Sequence, residues 1–214
     1  MLGDMTHHAD AGAESAPQHE AVPVPVPVRQ FVWRNMFAHP DEDPRSQGGF
    51  ADERATLVGY LRDQRLTLEM KCAGLGAEAM ARRSVPPSTL SLLGLVRHLA
   101  DVEHGWFRRV LAGQGGPWPY RTEADGDACF HGAVPEPEVV SEAWRTWRAE
   151  VAFAERFVAE APGLDLTGTH KGGGTYPDEQ VSLREVLVHM IEEYARHNGH
   201  ADLLRERIDG RVGQ

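Results

Sequence analysis

The sequence predicts an all-α protein, a bundle of four long helices joined by long loops. Four segments repeat apolar residues at spacings of three, four and seven, which is the period of one helix face. Capping residues precede these segments and glycines follow most of them. No pair of alternating segments joined by a tight turn indicates a β-hairpin. Four apolar stripes are buried most simply against one another, in an up-down or up-down-down-up bundle.

The first two predicted helices cover the middle of the chain. The first runs from about Asp52 to Cys72, and its apolar positions are Leu57, Tyr60, Leu61, Leu68 and Cys72. The second follows two prolines, is capped by Ser88 or Ser91, and continues to Leu111. Its buried stripe is predicted to comprise Leu92, Leu95, Val96, Leu99, Val102, Trp106 and Val110.

The other two helices are predicted in the C-terminal half. The third spans about Glu138 to Ala161, with inward positions Val140, Trp144, Trp147, Val151, Ala154 and Val158. The fourth begins at Ser182-Leu-Arg-Glu185, a capping box in which each side chain satisfies a free backbone N–H. It extends to about Ile208, and Gly210 follows its end.

The chain divides into a tail and one domain. Residues 1–28 are rich in Ala, Pro, Glu and His and end in alternating Val-Pro, which predicts a disordered tail with a stiff linker. Residues 29–214 are predicted to form the helical domain. Two long connections, 113–137 and 162–181, are candidates for functional lids or binding loops.

Composition excludes several classes of function. The formal net charge of −10 argues against nucleic acid or an anionic membrane as the main partner. No apolar run approaches the ~20 residues that span a bilayer. The two cysteines, Cys72 and Cys129, have no CxxC spacing, so neither a disulfide framework nor a thiolate zinc site is expected. A cytoplasmic protein that binds small molecules fits these observations.

The fourth helix carries an unusual polar cluster. At about 100° per residue, its residues His189, Glu193, His197 and His200 project within an arc of roughly 80°. Val186 and Leu204 lie in the same arc, so this is an apolar stripe with a polar centre. Such groups are costly to bury unless they are paired, hydrogen-bonded or coordinated to a metal.

A metal needs ligands from more than one helix, and His98 on the second helix is the candidate for the facing ligand. Other interpretations stay open: His98 as a hydrogen-bonded core histidine, a buried polar network, or a surface pair of Glu193 with Arg196. His189 is a candidate outer partner of the ligands or a packing residue, and His104 is predicted to lie at the surface.

Four segments resemble the DinB-like superfamily, in particular the branch of mycothiol-dependent S-transferases and maleylpyruvate isomerases. The resemblance covers about residues 30–214, and the segments that carry it are 66–75, 85–99, 102–107 and 182–210. It implies a four-helix bundle, commonly dimeric, with one divalent ion between helices two and four. One histidine of helix two and a pair of ligands four residues apart on helix four would hold that ion.

The resemblance implies that His98, Glu193 and His197 bind the metal, with His200 as a competing or additional ligand. Mixed nitrogen and oxygen ligands suit zinc best in our interpretation, with nickel, manganese or iron as alternatives. A low-molecular-weight thiol such as mycothiol would then be the co-substrate.

The predicted function is metal-dependent thiol transfer to a small electrophile, or thiol-assisted isomerisation. A non-catalytic protein that binds a metal or a toxic small molecule is the alternative. Residues with candidate roles in substrate binding are Arg97, Arg196, Trp118, Tyr120 and Tyr176. A homodimer is expected from the resemblance alone.

Overall fold

The computed structural model describes residues 37–45, 48–172 and 177–212. Within them the chain forms six α-helices: α1 (Glu53–Cys72), α2 (Ala77–Ala81), α3 (Leu92–Glu103), α4 (Ala128–His131), α5 (Pro137–Glu160) and α6 (Leu183–Asp209). A 3-10 turn at Pro40–Glu42 precedes them, and two strands, β1 (Thr167–His170) and β2 (Glu179–Ser182), form a hairpin. The predicted tail lies outside the described residues. Among the described helices, none has the length and apolar character needed to cross a membrane.

The predicted all-α fold is confirmed, and the four long helices lie where the apolar periods indicate. The Asp52 side chain caps α1 by accepting the Ala55 N–H at 2.8 Å, and Ser91 caps α3 through Gly94 N–H at 3.1 Å. Both halves of the capping box at Ser182 are present, and Gly210 ends α6 with φ of 77°. These ends form because each cap satisfies backbone groups that the helix itself leaves unpaired.

The second predicted helix changes its hydrogen bonding half-way. From His104 to Leu111 it continues α3 as a π-helical segment, in which Ala112 N–H donates to the Phe107 carbonyl five residues earlier at 3.0 Å. The wider turn rotates the following side chains relative to an α-helix. The prediction that His104 lies at the surface is wrong, because the ring is only 9% exposed.

The long helices bury their stripes against one another, α1 against α6 and α3 against α5, while α3 also touches α6. Leu68, Leu95, Leu99 and Met190 are completely buried between them. The prediction that Tyr60 faces the core is wrong, since it is 51% exposed and its ring packs edge-on against Phe50.

The connection from Pro162 to Val181 was predicted to lack strands, and this prediction is wrong. β1 and β2 pair antiparallel, from Thr167 opposite Ser182 to His170 opposite Glu179. The short strands escape detection because only a few residues alternate and the turn between them is long. Gly168 brings β1 directly onto the π-helical segment: a Cβ there would lie 2.2 Å from the Val110 carbonyl oxygen.

Substituting Gly168→Ala is expected to destabilise the fold by about 1–3 kcal/mol, because the added methyl meets backbone that cannot rotate away. The melting temperature, measured by circular dichroism, should fall by about 2–4 °C per kcal/mol. Gly115→Ala is the matched control, since a Cβ at Gly115 meets nothing within 4 Å. Equal melting temperatures for the two variants would contradict the close approach.

Candidate metal centre

His98 lies on the side of α3 that faces α6. Its neighbours Leu95 and Leu99 are completely buried, whereas the His98 side chain keeps 25% of its surface exposed. The ring stacks on Phe130 of α4, with 5.3 Å between centroids and 24° between planes. The histidine is therefore held on one side by an aromatic ring, and its Nε2 edge is left to face α6.

Glu193 and His197 meet this edge from α6. Glu193 Oε1 lies 3.2 Å from Nε2 of His98 and 3.2 Å from Nε2 of His197. The spacing of four places Glu193 and His197 one above the other on the helix. The rings of His98 and His197 are 4.7 Å apart, so two helices 95 residues apart in sequence bring three donors to one point.

The electrostatics of this cluster favour an anionic carboxylate. Hydrogen bonds from His197 and then His98 hold the pKa of Glu193 well below its usual value. A carboxylate facing two imidazoles presents one oxygen and two nitrogens, which is the mixed donor set of many divalent transition-metal sites.

The spacing of the donors also fits an ion. The three ligand atoms all lie within 4.8 Å of one another. Two donors at ~2.1 Å from one ion are at most about 4.2 Å apart, so any pair wider than this would have to close by at most about 0.6 Å. Small rotations of the side chains provide that movement, and the residues present therefore fit a divalent metal.

His200 lies beside this cluster and outside it. Its Nδ1 is 3.2 Å from Nδ1 of His197, the ring nitrogen that points away from Glu193. Burial, together with the charges of His197 and Arg196, lowers the pKa of His200 and favours the neutral ring. If a metal replaced the hydrogen on His197 Nε2, a neutral His200 could accept the Nδ1–H of His197 and so hold the Nε2 lone pair toward the ion.

Removing this support is expected to weaken metal binding without abolishing it. His200→Ala should lower the affinity for zinc about 10–100-fold, the usual cost of losing a partner that orients a ligand. A competition titration with a chelating dye measures this change. His131→Ala is the control, because His131 is exposed and bonds only to Asp125 at 2.8 Å. Complete loss of zinc from His200→Ala would instead make His200 a direct ligand.

A cleft of about 1320 Å³ opens beside His98. The π-helical segment, α4 and β1 line it, together with part of the loop between residues 112 and 127. Near His98 its wall is apolar, formed by Val102, Trp106 and Phe130. Small-molecule sites commonly enclose about 300–1,000 Å³, so this cleft has room for two small reactants next to the cluster.

Of the predicted substrate-binding residues, Trp118 lines the cleft, whereas Arg97 and Tyr120 pack beside it. Arg97 donates to the Cys129 carbonyl at 2.8 Å and stacks over Tyr120, so it holds α4 against α3. Tyr120 donates to Glu142 at 2.9 Å. Arg196 is exposed on α6.

Two further predictions concern residues around the cluster. His189 packs against Trp106, with 4.7 Å between ring centroids, and the structure does not bring it to the cluster. Tyr176 lies outside the described residues.

A buried polar network behind the cluster escaped sequence reasoning. Arg65 of α1 donates twice to Glu103 at 2.8 Å, and Glu103 also accepts the Tyr194 hydroxyl at 2.8 Å. Trp147 of α5 donates to that hydroxyl oxygen at 2.8 Å. Each of the four long helices contributes one member, and Tyr194 directly follows Glu193. The only sequence signal is that Arg65 and Glu103 are charged residues within apolar segments.

Comparisons with known proteins find a distant structural neighbour and a matching family model. The fold overlaps a conserved protein of Enterococcus faecalis, known from a crystal structure, with a TM-score of 0.48 and 17% sequence identity, covering 71% of this chain and 94% of the other. A search of curated proteins finds no match. The family model described as mycothiol-S-transferase matches residues 56–210, which include His98, Glu193 and His197. The chain therefore belongs to the mycothiol-S-transferase family, within the DinB-like superfamily.

Proposed function

We propose that the protein is a metal-dependent thiol S-transferase that joins a low-molecular-weight thiol, of the mycothiol type, to a small electrophile. The observation that carries this proposal is the convergence of His98, Glu193 and His197 at the edge of the large cleft. Family membership supports thiol transfer as the reaction class. Thiol-assisted isomerisation is the same chemistry followed by loss of the thiol, and it uses the same residues.

His98, Glu193 and His197 would hold the ion, and zinc is the metal we favour for this donor set. A divalent metal held by these residues would lower the pKa of a bound thiol and so would supply a reactive thiolate near neutral pH. Glu193 contributes a negative charge, because its pKa is held low. His197 contributes a ring whose orientation is set by His200.

The protein's own thiols are poor nucleophiles. Cys129 lines the cleft but is 2% exposed, and burial raises its pKa to about 11. Burial likewise raises the pKa of Cys72 to about 12. Both stay protonated near neutral pH, and the thiolate is the nucleophilic form. The reacting sulfur must therefore come from a co-substrate, as thiol transfer requires.

The cleft supplies the surroundings for transfer. Val102, Trp106 and Phe130 form an apolar wall beside His98, which excludes water from the reacting sulfur. In the transfer, the sulfur forms a bond to the electrophilic carbon while that carbon's leaving group departs. The thiol proton is released, so atoms and charge balance.

The test combines metal content with turnover. Protein purified without a histidine tag is analysed for metals, and then incubated with a thiol and monochlorobimane while the fluorescent adduct is measured. We expect about one divalent ion per chain and more than one adduct per chain. Treatment with a chelator should remove both the ion and the activity, and adding back zinc should restore them.

Two outcomes would contradict the proposal in different ways. Adduct or ligand that saturates at one equivalent per chain would identify a binding protein, the alternative function for this site. Absence of metal, with identical adduct formation before and after chelation, would leave the cluster as a buried polar network only.

A further inference from the structure

Two arginines lie over a single indole in the cleft, away from the metal cluster. Arg109 Cζ is 4.8 Å and Arg121 Cζ is 4.6 Å from the ring centroid of Trp118. All three residues line the same cleft as His98. Gly105 lets the indole lie directly against the π-helical segment, because a Cβ there would be 2.9 Å from Trp118 Cζ3. Both guanidinium groups therefore lie against the same indole within the cleft.

Within the described ranges 37–45, 48–172 and 177–212, neither guanidinium forms an ion pair with a carboxylate, although the charge of Arg121 acts on Asp101 at longer range. Arg109 donates to the Gly116 carbonyl at 2.6 Å, which is a neutral acceptor. The Asp101 carboxylate in the same cleft accepts the backbone N–H groups of Tyr120 and Arg121, at 2.9 and 3.1 Å. In a chain of net charge −10, this part of the cleft is therefore locally positive.

Such an arrangement suits an oxyanion. Guanidinium groups that stack on an aromatic ring keep their N–H donors free at the edge of the plane. Both groups are positively charged, and a carboxylate or phosphate that contacts either of them accepts charge-assisted hydrogen bonds. A cleft with low-dielectric walls strengthens this attraction compared with open solvent.

The position of the pair sets the size of the ligand. His98 and Arg109 are eleven residues apart along one continuous helical rod, which is about 16 Å at the rise of an α-helix and less in its π-helical part. The arginine side chains reach back over part of this distance. A molecule with its sulfur at the metal cluster and an oxyanion at the pair would be about 10–15 Å long.

We propose that Arg109, Arg121 and Trp118 form an oxyanion site for the carboxylate or phosphate of a ligand whose reacting end lies at the metal cluster. That this ligand is a reactant rests on the proposed function. The anionic group belongs to the electrophile if the co-substrate is mycothiol itself, which has no carboxylate or phosphate, or to the thiol if the co-substrate is a related thiol that carries a carboxylate. Oxyanion binding itself needs no metal.

The experiment measures binding to metal-free protein by isothermal titration calorimetry. S-methylglutathione represents a thiol with carboxylates and has no free sulfur to bind a metal, and its diethyl ester is the neutral counterpart. A second pair of probes, 3-nitrobenzoate and its neutral methyl ester, represents an electrophile that carries a carboxylate. We expect at least one carboxylate probe to bind more tightly than its ester.

Arg121→Gln is expected to weaken binding of that carboxylate about tenfold or more and to leave the ester unchanged. The Arg121 side chain is exposed, so this variant should keep its fold, which circular dichroism checks. Arg83→Gln is the matched control, an exposed arginine outside the cleft. The carboxylate that responds identifies which reactant carries the anion.

Equal affinities of the wild-type protein, Arg121→Gln and Arg83→Gln for both carboxylates would overturn the oxyanion site. That result would leave the thiol transfer assay unaffected. Conversely, carboxylate binding that depends on Arg121 in a protein without transferase activity would uphold the site and overturn the proposed function. The two hypotheses therefore fail separately.

Discussion

Substituting Glu103→Gln is expected to lower the free energy of unfolding by about 3–5 kcal/mol, one of the largest losses available to a single substitution in this fold. Glu103 is completely buried, and Arg65, which it binds through both oxygens, is 7% exposed. Glutamine keeps the shape but removes the negative charge. The buried Arg65 guanidinium would then keep only the exposed Glu155 carboxylate, at 3.8 Å, as a counter-ion. The Tyr194 hydroxyl would lose a charged acceptor.

Urea unfolding followed by circular dichroism measures this loss, and the melting temperature should fall by about 6–20 °C. Glu69→Gln is the matched control. Glu69 pairs with Arg148 at 2.9 Å, but the Glu69 side chain is 36% exposed and that of Arg148 is 62% exposed. Pairs in contact with solvent contribute about 1 kcal/mol or less. A loss no greater in Glu103→Gln than in Glu69→Gln would show that the network does not stabilise the bundle.

His98→Ala is expected to abolish metal binding and, with it, thiol transfer. It removes the one donor that α3 contributes, so that only Glu193 and His197 of α6 remain. Losing a ligand costs more than losing its supporting partner, so the affinity for zinc should fall by more than about 100-fold. Elemental analysis and the monochlorobimane assay measure the two effects, and His197→Ala should reproduce them.

The control for this experiment is His189→Ala. His189 lies on α6, one turn before Glu193, but it packs against Trp106 away from the cluster, so its removal should leave the metal content unchanged. Equal rates of adduct formation for the wild-type protein and His98→Ala would rule out metal-dependent transfer. Retained metal in His98→Ala with lost activity would instead place His98 in contact with substrate.

Local patterns predicted most of the helical framework. The capping box at Ser182 and the end at Gly210 depend on backbone groups only a few residues away, so the sequence alone indicates them, and it offers Ser91 as one of two caps for the second helix. The same holds for Glu193 and His197, because a spacing of four places two side chains on one face of any α-helix.

Contacts between distant parts of the chain determine how the residues of the candidate metal centre come together. His98 is 95 residues from Glu193, and only the packing of α3 beside α6 brings them to 3.2 Å. The position of His200 beside Nδ1 of His197 depends on side-chain rotation, which spacing does not reveal.

The buried network, the cleft and the arginine pair depend on tertiary structure for the same reason. Arg65, Glu103 and Tyr194 come from three helices, and each carries a polar group that is stable in the core only when the others are present. The spacing of apolar residues along a helix indicates which face of that helix is buried. The spacing does not indicate which buried groups contact each other, because that pairing is set by the packing of whole helices.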